Sequence, residues 1–598
     1  MERSRTEMPL RQTDRPSSMQ TFAHRSRHAS ARRQRGATAV LAAVWIGTAV
    51  AALGVLDVGH VFLVRRQLQQ AADMAAVAGA QTIGMAGGCA GATLSAQQAA
   101  ARNGYAGDAP VSVACGRWTA ASGPAQFDTS GATPLNAVQV TATQSVKHFF
   151  IGPARDVQAV ATAKATDTAS FSLSTNLASL SGGAINGLMS ALLGANVSLD
   201  VATWQALAST NVRLGDLAAQ IGVASIDELL NAKASVPDLA GAMVSVLSRN
   251  HAASASVTSA LTAIQAAASG GAKIALGDGA TAAPGLLAIG LADRQAAASA
   301  AISALDALIV AAELAHGTSA LDLGAALNPS AMAGMTLPVR LTAKAAILQA
   351  PVIAVGEAGM DGSGAWRTSA HAAQVRVYLD LNLTIPLLAT IDLPLYVEGA
   401  NGTAALTQTQ CAASKAASTS TIRVMQTGVA SACIGGDAAS KLTNTTNVAQ
   451  CQQPAKVASL VGSLVEVYAG TGTPSSGLNV ALQSQAPETL MFNGAAGDGD
   501  DTQGGNANAL GSESGGLLGQ LISQLPTRVY LTLAGVPLTA GQALAYQPSV
   551  QSLADTLQPI LGSLDTVLVP LLQLLGVQVG VSTVHAISLS CSDAQLVD

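Results

Sequence analysis

The stretch that most constrains this chain is Ala37–Leu56, twenty residues without a charge and rich in Ala and Val. A helix rises about 1.5 Å per residue, so the run covers a hydrocarbon core of roughly 30 Å. A buried core helix is the alternative in water, but Arg25, Arg27, Arg32, Arg33 and Arg35 precede the run with no acid among them. A cleaved signal peptide shares the basic-then-apolar pattern. Its apolar region, however, is about 7–15 residues long and ends at a small-x-small site, whereas this run passes straight through Ala49-Val50-Ala51. The pair Arg32-Arg33 is followed by Gln34-Arg35 rather than by apolar residues, unlike a twin-arginine export signal. The run reads as an uncleaved transmembrane anchor.

Orientation follows from the basic residues within about 15–20 positions of the span. Five arginines precede it and two, Arg65 and Arg66, follow. The tail is expected in the cytoplasm, with the bulk of the chain exported. The tail holds nine Arg against Glu2, Glu7 and Asp14, while the whole chain carries −5, so the exported part is acidic. An acidic ectodomain lacks the basic face that nucleic acid requires. The tail itself could touch anionic headgroups, though a basic segment is also an ordinary topology signal.

At 598 residues, three or four domain-sized units are expected at about 100–200 residues each. Hydrophobic residues make up 49% but aromatics only 3%, so the cores must be built from Ala, Val and Leu.

Within the span, Ala39, Ala43, Gly47 and Ala51 recur every fourth residue and share one helix face, which permits close helix approach. An Ala-rich span also yields such a row by composition alone. Asp57 and His60 follow, three apart on the helix surface, where headgroups and water are the expected partners. No Gly or Pro interrupts Val61–Ala78, and Val61, Val64, Leu68, Ala71, Ala75 and Ala78 keep a three-four spacing, so the helix is expected to continue as an amphipathic stalk.

Arg35-Gly36-Ala37, Asp57-Val58-Gly59 and the run Arg65-Arg66-Gln67-Leu68-Gln69-Gln70-Ala71-Ala72-Asp73-Met74-Ala75-Ala76 resemble the N-terminal module of Tad-type (Flp) pilus assembly proteins, the TadG-like family. The likeness is close over roughly residues 33–83, with Met74 where the family usually has a small residue. It is looser through Phe171-Ser172-Leu173-Ser174, Leu177-Ala178-Ser179-Leu180 and Leu393-Pro394-Leu395-Tyr396-Val397-Glu398. A prepilin signal would place Glu where Leu41 stands. Some relatives hold a metal on a D-x-S-x-S motif, and Asp361-Gly362-Ser363-Gly364-Ala365 lacks its second Ser. The resemblance implies a non-enzymatic assembly component anchored in a bacterial inner membrane by a single pass, with the bulk of the chain in the periplasm, whose partners are the membrane and other Tad-type assembly proteins or pilins.

Beyond the stalk, Leu94–Asn103 reads as a helix, and Val111–Val113, Val138–Thr143 and Val157–Ala165 alternate as half-buried strands. From Asn176 to about Leu327, Ala/Leu-rich runs at helical spacing predict a bundle: Leu188–Leu193, Trp204–Leu207, Leu214–Ile221, Ile226–Leu230, Leu239–Leu247, Val257–Ala268 and Ala292–Ala315. Strands return at Leu337–Ala346, Val352–Val355, Val375–Leu383, Leu393–Glu398 and Ala404–Cys411. Asn493–Gly516 reads as a long loop, Leu517–Leu525 and Leu553–Leu575 as helices, and Val581–Cys591 as a closing strand.

The expected fold is therefore α+β: a single N-terminal transmembrane helix running into a stalk, then an exported region with a helical insertion. The expected divisions are a basic tail (1–36), transmembrane helix (37–64), stalk (65–84), small helix-plus-sheet part (85–175), helical insertion (176–330) and α+β C-terminal part (331–598).

No G-x-S-x-G, S-x-x-K, H-E-x-x-H or G-K-[ST] motif occurs, and the eight histidines are scattered. His585, in an apolar strand, reads as structural. Asp498, Asp500 and Asp501 offer oxygens that suit calcium but lack an EF-hand's later Glu, so a solvated loop is expected. No catalytic residue, cofactor, metal or small-molecule substrate is assigned. Two other classes stay open: a periplasmic envelope hydrolase whose Ser, His and carboxylate converge only in three dimensions, and a surface adhesin.

All six cysteines lie on the exported side, as disulfides require, and none shows C-x-x-C spacing. Cys89 pairs with Cys115 across one helix and a strand, and Cys433 with Cys451 around a polar loop. Cys411 and Cys591 remain, each closing an alternating strand, with the two strands expected side by side in one sheet.

Overall fold

The apolar run and the stripe behind it form one helix, α1 (Arg35–Ile83), 49 residues and about 74 Å long. The computed structural model describes residues 35–598 except 120–125, 131–133, 151, 174–181, 269–270, 279–284, 292–293, 324–338, 386–388, 400–401, 427–429, 443–449, 461–463, 473–474, 482–486, 498–499, 505–516, 556–557, 559–574, 576–582, 592–593 and 598. The basic tail and most of Leu553–Leu575 thus lie outside the described residues. The chain divides into two compact units. One comprises the chain to Arg66 with Ser145–Val157, the other Gln67–Gln144 with the chain from Gln158.

In the second unit the end of α1 buries Leu68, Ala71, Ala72, Ala75, Ala76, Ala80 and Ile83; Leu68, Ala71 and Ala75 belong to the expected three-four stripe, whose Ala78 is half-buried. Helix α2 (Gly88–Arg102) turns back beside it, Ser95 Oγ donating to the Ala78 carbonyl at 3.0 Å. Gly79 permits this approach, since a Cβ there would stand 3.0 Å from Val138 Cγ1 and 3.2 Å from the Ala92 carbonyl. Strands β1 (Ser112–Trp118), β2 (Phe127–Asp128), β3 (Ala137–Val146) and β4 (Arg155–Lys164) form a sheet ordered β2-β1-β3-β4, and the C-terminal strand Gln595–Val597 adds to β4.

The next strand, β5 (Thr168–Ser172), sits inside a seven-stranded sheet whose order is Thr502–Gly504, Thr583–Ser590, β5, Ile353–Gly356, Gly285–Gly290, Ile274–Gly277, Lys233–Ala234. Segments hundreds of residues apart therefore alternate in one sheet. A ten-stranded sheet is centred on Val339–Gln349, Gln374–Ile385 and Ala389–Gly399, with Ala345 opposite Val377 and Val377 opposite Val397. Side chains alternate between faces with period two. Leu341 is half-buried, while Ala343, Ala345, Val375, Val377, Leu379, Leu393, Leu395 and Val397 bury one face, leaving Lys344, Asp380 and Asp392 on the other.

The buried face joins one continuous core with the helices Gly182–Leu193, Val201–Ala208, Leu214–Ile221, Val236–Arg249, Ala255–Ala267 and Ala304–His316. Side-chain oxygens of Asp200, Ser225, Ser235, Ser254 and Ser303 accept N-cap bonds, and Ser235 with Asp238 makes a full capping box.

Four expectations need correction. Ala292–Ala315 is not one helix. A 3₁₀ turn (Arg294–Ser299) leads to strand Ala301–Ser303, paired with Asn211–Arg213, and Ser303 caps a fresh helix. The helical part is threaded by short strands, because several of its connections enter the seven-stranded sheet. Asn493–Gly516 contains strand Thr502–Gly504, paired with Thr583–Ser590. Finally, Thr403–Gln410 and Thr583–Ser590 are not neighbours. The first lies in a four-stranded sheet with Ser369–His371, Thr419–Gln426 and Glu488–Asn493, the second in the seven-stranded sheet.

Candidate membrane anchor and hairpin clasp

Helix α1 is long and apolar enough to cross a membrane, and Val40, Leu41, Val44, Trp45, Ile46 and Val50 stand exposed along it. The small-residue row Ala39, Ala43 and Ala51 is exposed as well, and a Cβ on Gly47 would meet nothing.

Where the apolar run ends, the sequence expectation fails in an informative way. Asp57 does not face headgroups and water; it is 3% exposed. The tip of the β3–β4 hairpin covers it. The Phe149 N–H donates to Asp57 Oδ1 at 2.6 Å, and the Phe150 N–H reaches Oδ1 and Oδ2 at 3.3 and 3.2 Å. His60, one turn on, meets the Phe149 ring with centroids 4.5 Å apart. A buried carboxylate is costly unless hydrogen-bonded, and two consecutive backbone N–H groups supply that need. The reverse holds too: N–H groups at a hairpin tip have no ladder partner, so Asp57 satisfies them. The turn closes through Gly152, at φ +112°, a conformation that favours glycine, with His148 Nδ1 2.7 Å from the Pro153 carbonyl.

Reasoning from sequence missed Phe149 and Phe150. A signal was present: a chain with only 7 Phe places two of them side by side, before Gly152-Pro153, between two alternating runs.

In the second unit the disulfides are Cys89–Cys115, Cys411–Cys591 and Cys433–Cys451, with Cα–Cα distances of 5.8, 5.8 and 5.6 Å. Cys411 also gives its N–H to the carbonyl of Gly84, just past α1, and Met85 bridges to it in parallel. The Cys411–Cys591 link therefore joins the end of the stalk to two sheets. An Asp167 carboxylate oxygen lies within 4.8 Å of both sulfurs, but these are bonded to each other.

The residues weighed for chemistry are occupied in other ways. Asp361 Oδ1 accepts from the Ser363 N–H, Ser363 Oγ and the Ala365 N–H at 2.8, 2.6 and 3.0 Å, and these bonds, chiefly the Ser363 hydroxyl, hold its carboxyl below the usual range. Asp498 lies outside the described residues. Asp500 Oδ2 accepts from the Asn493 N–H at 3.3 Å and Asp501 Oδ2 from the Gly497 N–H at 2.5 Å, which folds the loop upon itself.

Ser172, Asp306 and His585 do converge. Ser172 Oγ and His585 Nδ1 each lie 2.8 Å from the same atom, Asp306 Oδ2. Nucleophilic catalysis needs the imidazole between serine and carboxylate; here the carboxylate is in the middle. Burial works against the His585 imidazolium, yet Asp306 beside it and Asp501 outweigh that and raise its pKa above the ordinary value. The arrangement is a buried ionic tie between β5, helix Ala304–His316 and the closing strand.

Comparison with known families divides the chain along these same elements. Residues 36–82, essentially α1, match a family described as Flp pilus-assembly TadE/G-like. Residues 78–165, covering α2 and β1–β4, match one described as Tad-like Flp pilus-assembly. Residues 181–313 match a domain of unknown function, DUF8293. No curated protein and no solved structure matches the chain.

Proposed function

We propose, from the premise that this chain is over residues 36–165 a TadG-like protein of the Tad pilus family, that it is a membrane-anchored, non-enzymatic component of a Tad-like (Flp) pilus assembly or secretion machine, acting through a periplasmic ectodomain. The observation that carries this reading is α1, a helix whose first half is apolar and exposed and whose last turns, from Leu68 to Ile83, bury one face beside α2. Other Tad assembly proteins or pilins are the partners that the family matches favour.

A strain lacking the chain is expected to lose surface pili and pilus-dependent adherence, both regained with the full-length chain; unchanged pili would overturn the proposal. Orientation is tested separately. The five-to-two asymmetry of arginines around the span places the ectodomain outside the cytoplasm. Alkaline phosphatase fused after Asp598 should be active in cells, and an inactive fusion would refute the orientation.

A further inference from the structure

Exposed apolar surface does not stop at Leu56. Past the buried Asp57, the helix exposes Val58 at 56%, Phe62 at 66% and Leu63 at 54%, and the clasped tip exposes Phe149 at 66% and Phe150 at 55%. These groups belong to one compact unit. Leu63 lies only about 10 Å beyond Leu56 along the axis, so the collar sits where the span would leave the hydrocarbon. Basic side chains border it: Lys147 and Arg155 on the hairpin and Arg65 and Arg66 on the helix are exposed, with Asp156 the acid among them.

We propose that the hairpin tip at Phe149 and Phe150 is a second membrane contact, in which these two side chains enter the headgroup–acyl boundary of the leaflet from which α1 emerges. Three features favour lipid as the occupant. The surface is continuous with the apolar span. Aromatic side chains rimmed by Lys and Arg suit a boundary with acyl chains beneath and phosphates above. Most decisively, a backbone entering lipid must already have its N–H groups paired, and Phe149 and Phe150 give both of theirs to Asp57. The same bonds allow the Asp57 carboxylate to sit at a depth where an unpaired charge is expensive. The anchor is thus two-pointed, with Asp57 fixing the height of the tip on the helix.

This inference rests on reading α1 as a span, and the test separates the two. The full chain is reconstituted in phosphatidylethanolamine/phosphatidylglycerol vesicles containing a phospholipid with a diazirine near its acyl carbonyl, illuminated, digested with trypsin and mapped by mass spectrometry. Lipid adducts are expected on both Gly36–Arg65 and His148–Arg155. Adducts on Gly36–Arg65 alone overturn the proposal and leave the span intact, as they would if another protein covered the tip. Adducts on neither peptide overturn both. Asp57→Ala should lower labelling of His148–Arg155 several-fold while sparing the span peptide; equal labelling would overturn the clasp.

Discussion

Replacing Cys411 and Cys591 together by alanine is expected to destabilise the second unit by up to about 5 kcal/mol, the magnitude that chain entropy assigns to so long a loop. The two positions are 180 residues apart, against 18 for Cys433 and Cys451. The loss should also be spatially specific. The link joins the ends of strands in two separate sheets, and Cys411 holds the residue that follows α1 through the Gly84 carbonyl. In so large a chain one global unfolding energy is ill-defined, so local opening is the better readout. Amide exchange should accelerate in Thr403–Gln410 and Thr583–Ser590 far more than in the hairpin Gln374–Gly399. Exchange that rises evenly, or not at all, would show that the link does not hold these elements together.

Replacing Glu313 by methionine should stabilise the chain, by about 1–3 kcal/mol, the cost of a buried polar group without a partner. Glu313 is 1% exposed, on a helix buried on nearly every side, and neither carboxylate oxygen has a hydrogen-bond partner among the described residues. Burial raises its pKa well above the ordinary 4.5, so the folded state keeps a proton that the unfolded chain releases. The sign follows from linkage: below about pH 4.5 both states are protonated and the group is neutral in its effect. As pH rises toward the native pKa the unfolded chain ionises first, and stability is lost. The wild-type protein should therefore open more readily at Ala304–His316 as pH climbs, and Glu313→Met should remove that slope while slowing exchange roughly tenfold per 1.4 kcal/mol gained. An unchanged slope would place the burial cost elsewhere.

These cases bear on what sequence can reveal. The length and continuity of α1 were legible because two periodic signals, an uncharged run and a three-four stripe, agree on one helix with no breaker between Val61 and Ala78. The helices of residues 182–316 were legible in number more than in extent, because capping by Ser235 or Ser254 starts a helix at Val236 or Ala255, ahead of the expected Leu239 or Val257. Strands such as Thr419–Gln426, Ala455–Leu460 and Val529–Leu533 were not singled out. Each is short and takes at least one partner far away in sequence: Thr419–Gln426 pairs with Glu488–Asn493, Ala455–Leu460 with Ala389–Gly399, and Val529–Leu533 with Val465–Ala469. The same limit concealed the clasp. Nothing near Asp57 in sequence names its partners, which stand 92 and 93 residues downstream. An acid directly after an apolar span implies a partner, but only the fold identifies it.

The measurement that tests the account most directly is the number of surface pili in a deletion strain supplied with one of two versions of the chain. One is full-length; in the other, residues 37–56 are exchanged for a cleavable export signal, so that the ectodomain is released into the periplasm. Anchoring through α1 predicts that the full-length chain restores pili and the released ectodomain does not. Equal restoration by the released form, or undiminished pili in the deletion strain itself, would contradict it.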